Sequence, residues 1–244
     1  MGSLGRLLNS TVGMKIVMAV TGFLLFGFVL VHMTGNLQIF LDAGLKPGEA
    51  SALNEYAEFL DDAGHGAVKW GARGVLLAAI GLHIYSWKRL TALQGEARPT
   101  AYANRTNRAS TIASRTMKFT GPVILAFIIV HILHFTVGWK AILPEYQHEA
   151  VLQNVVQGFG KHPAMAVFYI VAQLCLAPHL AHGGYSMLRS LGMENAERAA
   201  TARKIAAGLA FVITAANISI PVAVMGGFFK NVDLAAVPTE SAEH

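Results

Sequence analysis

The sequence predicts an all-α integral membrane protein, a bundle of five transmembrane helices forming one membrane domain over residues 1–244. Two observations carry that prediction. The chain is 54% hydrophobic and only 14% charged, whereas a soluble domain carries about 25% charged residues. Its apolar residues are also gathered into five long stretches separated by short, charge-bearing connections. A helix crossing a hydrocarbon core of about 30 Å needs roughly 20 apolar residues, and each stretch meets that length, the second only with its basic ends included.

Residues 16–40 contain no Asp, Glu, Lys or Arg and form the first span. Arg6 and Lys15 precede it in the manner of a signal peptide, but the apolar run is too long and lacks a small-residue cleavage site, so it reads as a retained helix. The second span is less clean, because 74–87 is uncharged for only 14 residues. Lys69 and Arg73 at one end and Lys88 and Arg89 at the other extend it, since long basic side chains reach back to the interface. Residues 119–139, 163–188 and 205–229 complete the set without a charged side chain. With their ends included, the helices are expected at about 14–41, 66–90, 117–140, 163–191 and 202–229. Pro178 and Pro221 fall inside the fourth and fifth, where neighbouring helices re-satisfy the freed carbonyls.

The connections set the orientation. Between the second and third spans stand Lys88, Arg89, Arg98, Arg105, Arg108, Arg115 and Lys118 against a lone Glu96, which places this loop in the cytoplasm by the positive-inside rule. The loop over 42–65 is the reverse, with Asp42, Glu49, Glu55, Glu58, Asp61 and Asp62 against Lys46, and belongs outside. Arg198, Arg203 and Lys204 before the fifth span fit the alternation. The expectation is a multi-pass protein of the inner (cytoplasmic) membrane with its N-terminus cytoplasmic and its C-terminus outside. Within the outer loop, Leu53, Tyr56, Phe59 and Leu60 recur at helical spacing behind Ser51, indicating a short surface helix capped by that serine. The net charge of +5 sits in these short loops rather than on a soluble face, so no nucleic-acid partner is expected. We read no internal repeat, low-complexity tract or soluble domain.

Six of the ten histidines lie within spans: His32, His83, His131, His134, His179 and His182. Ionisable side chains in lipid are costly and mark function by default. One alone would most simply hydrogen-bond a neighbouring helix, but four helices each carry at least one. Depth sharpens the point. His32 stands ten residues before Asp42 and His131 nine before Lys140, both toward the outer side. His83 stands five residues before Lys88 and His179 ten before Arg189, both toward the inner side. Two pairs at two depths, each drawn from two helices, match the axial ligation of two haems, whereas zinc would want three or four ligands at one level. With one cysteine, Cys175, and no CxxCH, such haem would be non-covalent. Gly22, Gly27, Gly35, Gly74, Gly81, Gly183 and Gly184 leave room for a flat macrocycle, and serve ordinary helix packing equally well.

The motifs then resemble a known family. Helix I reads TGFLLFGFVLVHMTGNL, helix II LLAAIGLHIYSWKRL, helix III TGPVILAFIIVHILHF and helix IV APHLAHGGYSMLRSLG. In order and helix count these are similar to the cytochrome b membrane anchor of succinate:quinone oxidoreductases, in the five-helix, single-subunit, dihaem form. The likeness runs from residue 21 to about 192, with the fifth helix matching only in character. It implies that His32, His83, His131 and His179 are the axial ligands of two haem b groups. His131 is preferred to His134 because the Thr-Gly-to-His spacing repeats that of helix I, and His179 to His182 because Gly183 and Gly192 follow at the family's spacings. The resemblance further implies a flavoprotein subunit and an iron–sulfur subunit as partners, a membrane quinone (menaquinone or ubiquinone) as substrate, and no dicarboxylate chemistry in this chain. Some dihaem fumarate reductases carry a glutamate two residues before the helix IV ligand that is implicated in proton movement. Here that position is Ala177. Where the acidic loop enters helix II, Glu58, Asp61 and His65 are candidate quinone-site residues, since quinone reduction needs a titratable side chain beside an apolar slot. The rival readings are the dihaem anchor of another quinone-linked dehydrogenase, such as formate dehydrogenase or hydrogenase, and a haem-free transporter whose histidines form a relay.

Overall fold

The computed structural model describes residues 10–97, 112–193, 195 and 197–238. Arg6, Arg98, Arg105 and Arg108, which contributed to the orientation argument, lie outside the described residues. Helix α1 is Thr11–Asn36, and Ser10 caps it by accepting from the Gly13 amide at 3.0 Å. It tightens into a 3-10 helix over Leu37–Gly44. The surface helix α2, Ala52–Asp62, begins at Ser51, whose hydroxyl accepts from the Asn54 amide at 3.1 Å. Helix α3 covers Ala67–Glu96, and α4 covers Ile112–His131 before a π-helical turn, Ile132–Thr136. Helices α5, Val151–Gly160, α6, Pro163–Ser190, and α7, Ala199–Met225, complete the chain.

Five of these helices, α1, α3, α4, α6 and α7, are long and apolar enough to cross a membrane. The fold is therefore the expected all-α bundle. The span ends differ from expectation where the backbone turns. The third span stops at Thr136 rather than 140, because Gly138 takes φ +63 and the chain reverses there. The fifth stops at Met225 rather than 229, ahead of Gly227 at φ +77. The second runs six residues further than expected, to Glu96, since Thr91, Ala92, Leu93 and Gln94 carry the helix on and Gly95 falls only in its last turn. Helix α5 was not foreseen.

Around the bundle, α1 packs on α3 and α6, α6 packs on α4, and α7 lies against α6 and α1. Among the described residues α3 and α4 make little contact with each other. The order around the bundle is therefore α3, α1, α6, α4, which makes α1/α4 and α3/α6 the diagonal pairs. Close approach of α6 to α7 and α1 depends on Gly184. A Cβ there would stand 3.3 Å from Ala206 Cβ and 3.6 Å from the Phe26 ring.

One end of the bundle is capped. Asp42, 1% exposed, accepts from Ser51 Oγ at 2.8 Å and from the Ala52 and Leu53 amides at 2.7 and 3.3 Å. A carboxylate at a helix N-terminus contributes about 0.3–1 kcal/mol at the surface and up to about 2 kcal/mol when partly buried, so α2 is anchored firmly to the end of the first span. Asn54 accepts from the Leu152 amide at 2.9 Å and donates to Gln153 Oε1 at 3.2 Å. Gln153 Nε2 donates to the Val237 carbonyl at 3.4 Å, and the Gly48 amide to the Ala236 carbonyl at 3.0 Å. Beneath these ties Ile39, Leu53, Leu152, Phe159, Tyr169 and Phe229 form a continuous apolar core.

Candidate functional site

The four histidines singled out by depth meet across the two diagonals. On the capped side, His32 of α1 and His131 of α4 have ring centroids 5.7 Å apart with planes at 81°. On the opposite, open side, His83 of α3 and His179 of α6 are 6.5 Å apart at 53°. Imidazoles binding one metal ion from opposite sides, each through a nitrogen at about 2 Å, have centroids about 6 Å apart. Both pairs therefore fit bis-histidine ligation of a haem iron. Among the described residues no three His, Cys, Asp or Glu side chains converge as a metal cluster.

The two levels are fixed by contacts one span apart. Thr21 of α1 lies against His83, with Oγ1 to Nδ1 at 3.1 Å. Thr120 of α4 lies against His179 in the same way at 3.3 Å. Each threonine is eleven residues before the capped-side histidine of its own helix, so at 1.5 Å per residue the two levels are about 16 Å apart along the helices. The glycine after each threonine makes the approach possible. A Cβ on Gly22 would touch His83 Cε1 at 3.5 Å, and one on Gly121 would touch His179 Cε1 at 3.9 Å.

Hydrogen bonding assigns the tautomers. The Thr21 hydroxyl donates to the Val17 carbonyl at 2.7 Å, and Thr120 to the Thr116 carbonyl at 3.2 Å, the usual back-bonding of helical threonine. Each oxygen is then left to accept from a histidine Nδ1–H, which leaves Nε2 of His83 and His179 unprotonated. On the capped side Tyr169 of α6 takes this part. Its Oη is 3.3 Å from His131 Nδ1 and 3.0 Å from His134 Nδ1. A phenol has one proton, so Tyr169 can donate to only one of these two imidazoles and accepts from the other. His32 instead stacks on Phe28, with centroids 5.2 Å apart.

Burial separates His134 from the four. His32, His83, His131 and His179 are half-buried, whereas His134 is fully enclosed. Its ring stacks on Phe135 at 3.9 Å, and its Nε2 faces Gly158, where even a Cβ would come within 2.9 Å. No macrocycle fits against that nitrogen. His182 is half-buried, one residue before Gly183.

The candidate quinone residues stand apart from this interior. Glu58 is exposed on α2, and His65 is exposed on the turn between α2 and α3, where it adopts φ +53. Asp61 pairs with Lys69 Nζ at 2.8 Å. Sequence reasoning passed over Thr21, Thr120 and Tyr169. For the threonines a signal was visible, the repeated Thr-Gly eleven and ten residues before a histidine, and it was read only as a register mark. A second polar bridge it missed joins α6 and α7, where Asn217 Nδ2 donates to Gln173 Oε1 at 3.1 Å.

Compared with known proteins, residues 94–217 match a family model described as succinate dehydrogenase/fumarate reductase transmembrane subunit. That is half of the chain, and the matched stretch carries His131 and His179. No curated protein and no solved structure matches.

Proposed function

Because the chain belongs to the family of succinate dehydrogenase/fumarate reductase transmembrane subunits, we propose that it is a dihaem cytochrome b anchor carrying electrons between an iron–sulfur subunit and a membrane quinone. The supporting observation is the meeting of four histidines from four spans in two pairs, 5.7 and 6.5 Å between ring centroids. His32 and His131 hold one haem b and His83 and His179 the other. When bound, each haem supplies a one-electron carrier. The chain's own residues fix its position. Diagonal helices present imidazoles from opposite sides, and Thr21, Thr120 and Tyr169 accept the Nδ1 protons of three of them.

In this reading the capped end faces outside and the open end the cytoplasm, where Lys15, Lys88, Arg89, Arg115, Lys118, Arg198, Arg203 and Lys204 gather. That basic surface steers docking of the iron–sulfur subunit, which carries the flavoprotein, while packing holds the complex. The quinone, menaquinone or ubiquinone, reacts near the capped-side haem, with Glu58, Asp61 and His65 as its proton-handling candidates. The test is a reduced-minus-oxidised optical spectrum of the purified complex with haem quantified per chain. Two b-type haems are expected, and the absence of b-type bands would overturn the proposal.

A further inference from the structure

We infer that Thr21 and Thr120 are positioning residues acting on one and the same haem, the open-side one, although they sit on different helices and neither is on the helix of the ligand it holds. The inference rests on the dihaem reading above. Each hydroxyl proton is engaged by a carbonyl of its own helix, Val17 for Thr21 and Thr116 for Thr120. Each oxygen can therefore act toward the histidine only as an acceptor, and the contacts at 3.1 and 3.3 Å are Nδ1–H to Oγ1 bonds. An imidazole that donates through its second nitrogen is oriented, fixed in one tautomer and made a stronger electron donor to a metal. The arrangement is doubled. His83 and His179 face each other, so both ligands of the open-side haem receive the same treatment from opposite corners of the bundle. The capped-side haem is treated differently, with a shared phenol behind His131 and a stacked phenyl ring beside His32.

The geometry also explains why threonine is followed by glycine. Hydroxyl and open space lie side by side on one helical turn, so the imidazole can lean onto the helix that carries its acceptor. Gly22 and Gly121 are the residues that the His83 and His179 rings pass. The Thr-Gly pair is thus a docking point for a histidine of another span, and its second copy serves the second ligand of the same metal.

The test is a redox titration of the assembled complex, with haem content and low-spin haem spectra recorded, for Thr21→Val, Thr21→Ser, Thr120→Val and Thr120→Ser. Valine keeps the shape of threonine and removes the acceptor, whereas serine keeps the hydroxyl. We expect both valine variants to raise the same one of the two midpoint potentials, because a weaker ligand favours the reduced iron. The serine variants should keep wild-type potentials. Loss of that one haem in a valine variant with retention in its serine counterpart supports the same conclusion. Two haems with unmoved potentials in the valine variants overturn it, as does a serine variant shifted as far as its valine counterpart, which would make the effect one of packing. If Thr21→Val and Thr120→Val move different haems, the shared-haem assignment is wrong. A wild-type complex with no haem would instead overturn the dihaem reading itself, and that is seen before any variant is made.

Discussion

If the two histidine pairs hold haems as proposed, imposing a voltage across the membrane should redistribute electrons between them by an amount set by their depth difference. The levels are separated by eleven residues of α1 and the equivalent eleven of α4, about 16 Å at 1.5 Å per residue. Over a hydrocarbon core of about 30 Å that is roughly half of the field. Full transfer of one charge is worth about 2.3 kcal/mol per 100 mV, so moving an electron from the open-side to the capped-side level is worth about 1.2 kcal/mol per 100 mV. At about 1.4 kcal/mol for each tenfold change, that shifts the electron distribution about sevenfold. With the capped end outside and the outside positive, the electron is drawn to the capped-side haem. The assay is a partly reduced complex in sealed proteoliposomes of known orientation, with a potassium diffusion potential applied and the two haems followed optically. A distribution indifferent to voltage would refute the two-level geometry. A response of the right size but opposite sign would leave the geometry standing and invert the topology.

Alanine in place of His32, His83, His131 or His179 should remove one haem or block assembly, whereas His134→Ala and His182→Ala should keep two; two haems in His131→Ala, counted by pyridine haemochrome, would show that the wrong neighbour was chosen. Gly158→Ala drives a Cβ to within 2.9 Å of His134 Nε2 and should cost about 1–3 kcal/mol, read as a lower thermal midpoint that His134→Ala partly restores. On the capped end the His162 imidazole, 3.2 Å from Glu145 Oε2, holds the Glu145 carboxyl below its ordinary 4.5, with Lys161 adding to the effect. The folded form then gains stability above the unfolded carboxyl pKa and loses it as the pH falls through the lower folded value, so a thermal-midpoint scan downward from pH 5 should fall more steeply in wild type than in Glu145→Gln. Replacing Glu58, Asp61 and His65 singly, with haem content checked, should impair quinone turnover while sparing turnover with a soluble acceptor; normal quinone activity in all three would move the site to the open-side haem.

The spans were legible because a lipid core forbids charge over about 20 residues, a constraint that overrides local detail. Their ends were less so, since the signals there are single glycines, such as Gly138 and Gly227, whose backbone angles no composition reveals. Helix α5 escaped notice because it lies in the cap and not in the hydrocarbon. Its apolar Leu152, Val155, Val156 and Phe159 are interleaved with Gln153, Asn154 and Gln157, and the partners of Gln153 and Asn154 in Asn54, Gln147 and the C-terminal segment appear only in the fold. For the histidines, depth along each helix could be counted from the charged flanks, so the two levels were readable. Which of two neighbouring histidines faces the partner depends on rotation of the helix and on what encloses each ring. His134 is walled in by Gly158 and Phe135, residues on the cap helix and on its own π turn; the Thr-Gly-to-His spacing pointed to His131 but carried nothing of that enclosure. Tyr169 was overlooked for a related reason. A tyrosine in a span is usually interfacial or packed, and its position between two Nδ1 atoms appears only once α4 and α6 are side by side.

The cap's bonds join parts of the chain made at very different times. Asp42 is matched to Ser51 almost at once, but Asn54 must wait for Leu152 and Gln153, and Gln153 for Val237. Gly48 likewise finds its acceptor in Ala236, close to two hundred residues later in synthesis. A nascent chain therefore threads three spans before Asn54 can meet Leu152 and Gln153, and all five before Val237 and Ala236 can close over that loop. The C-terminal segment works as a keystone, so that the order of translation becomes the order in which one face of the bundle is sealed.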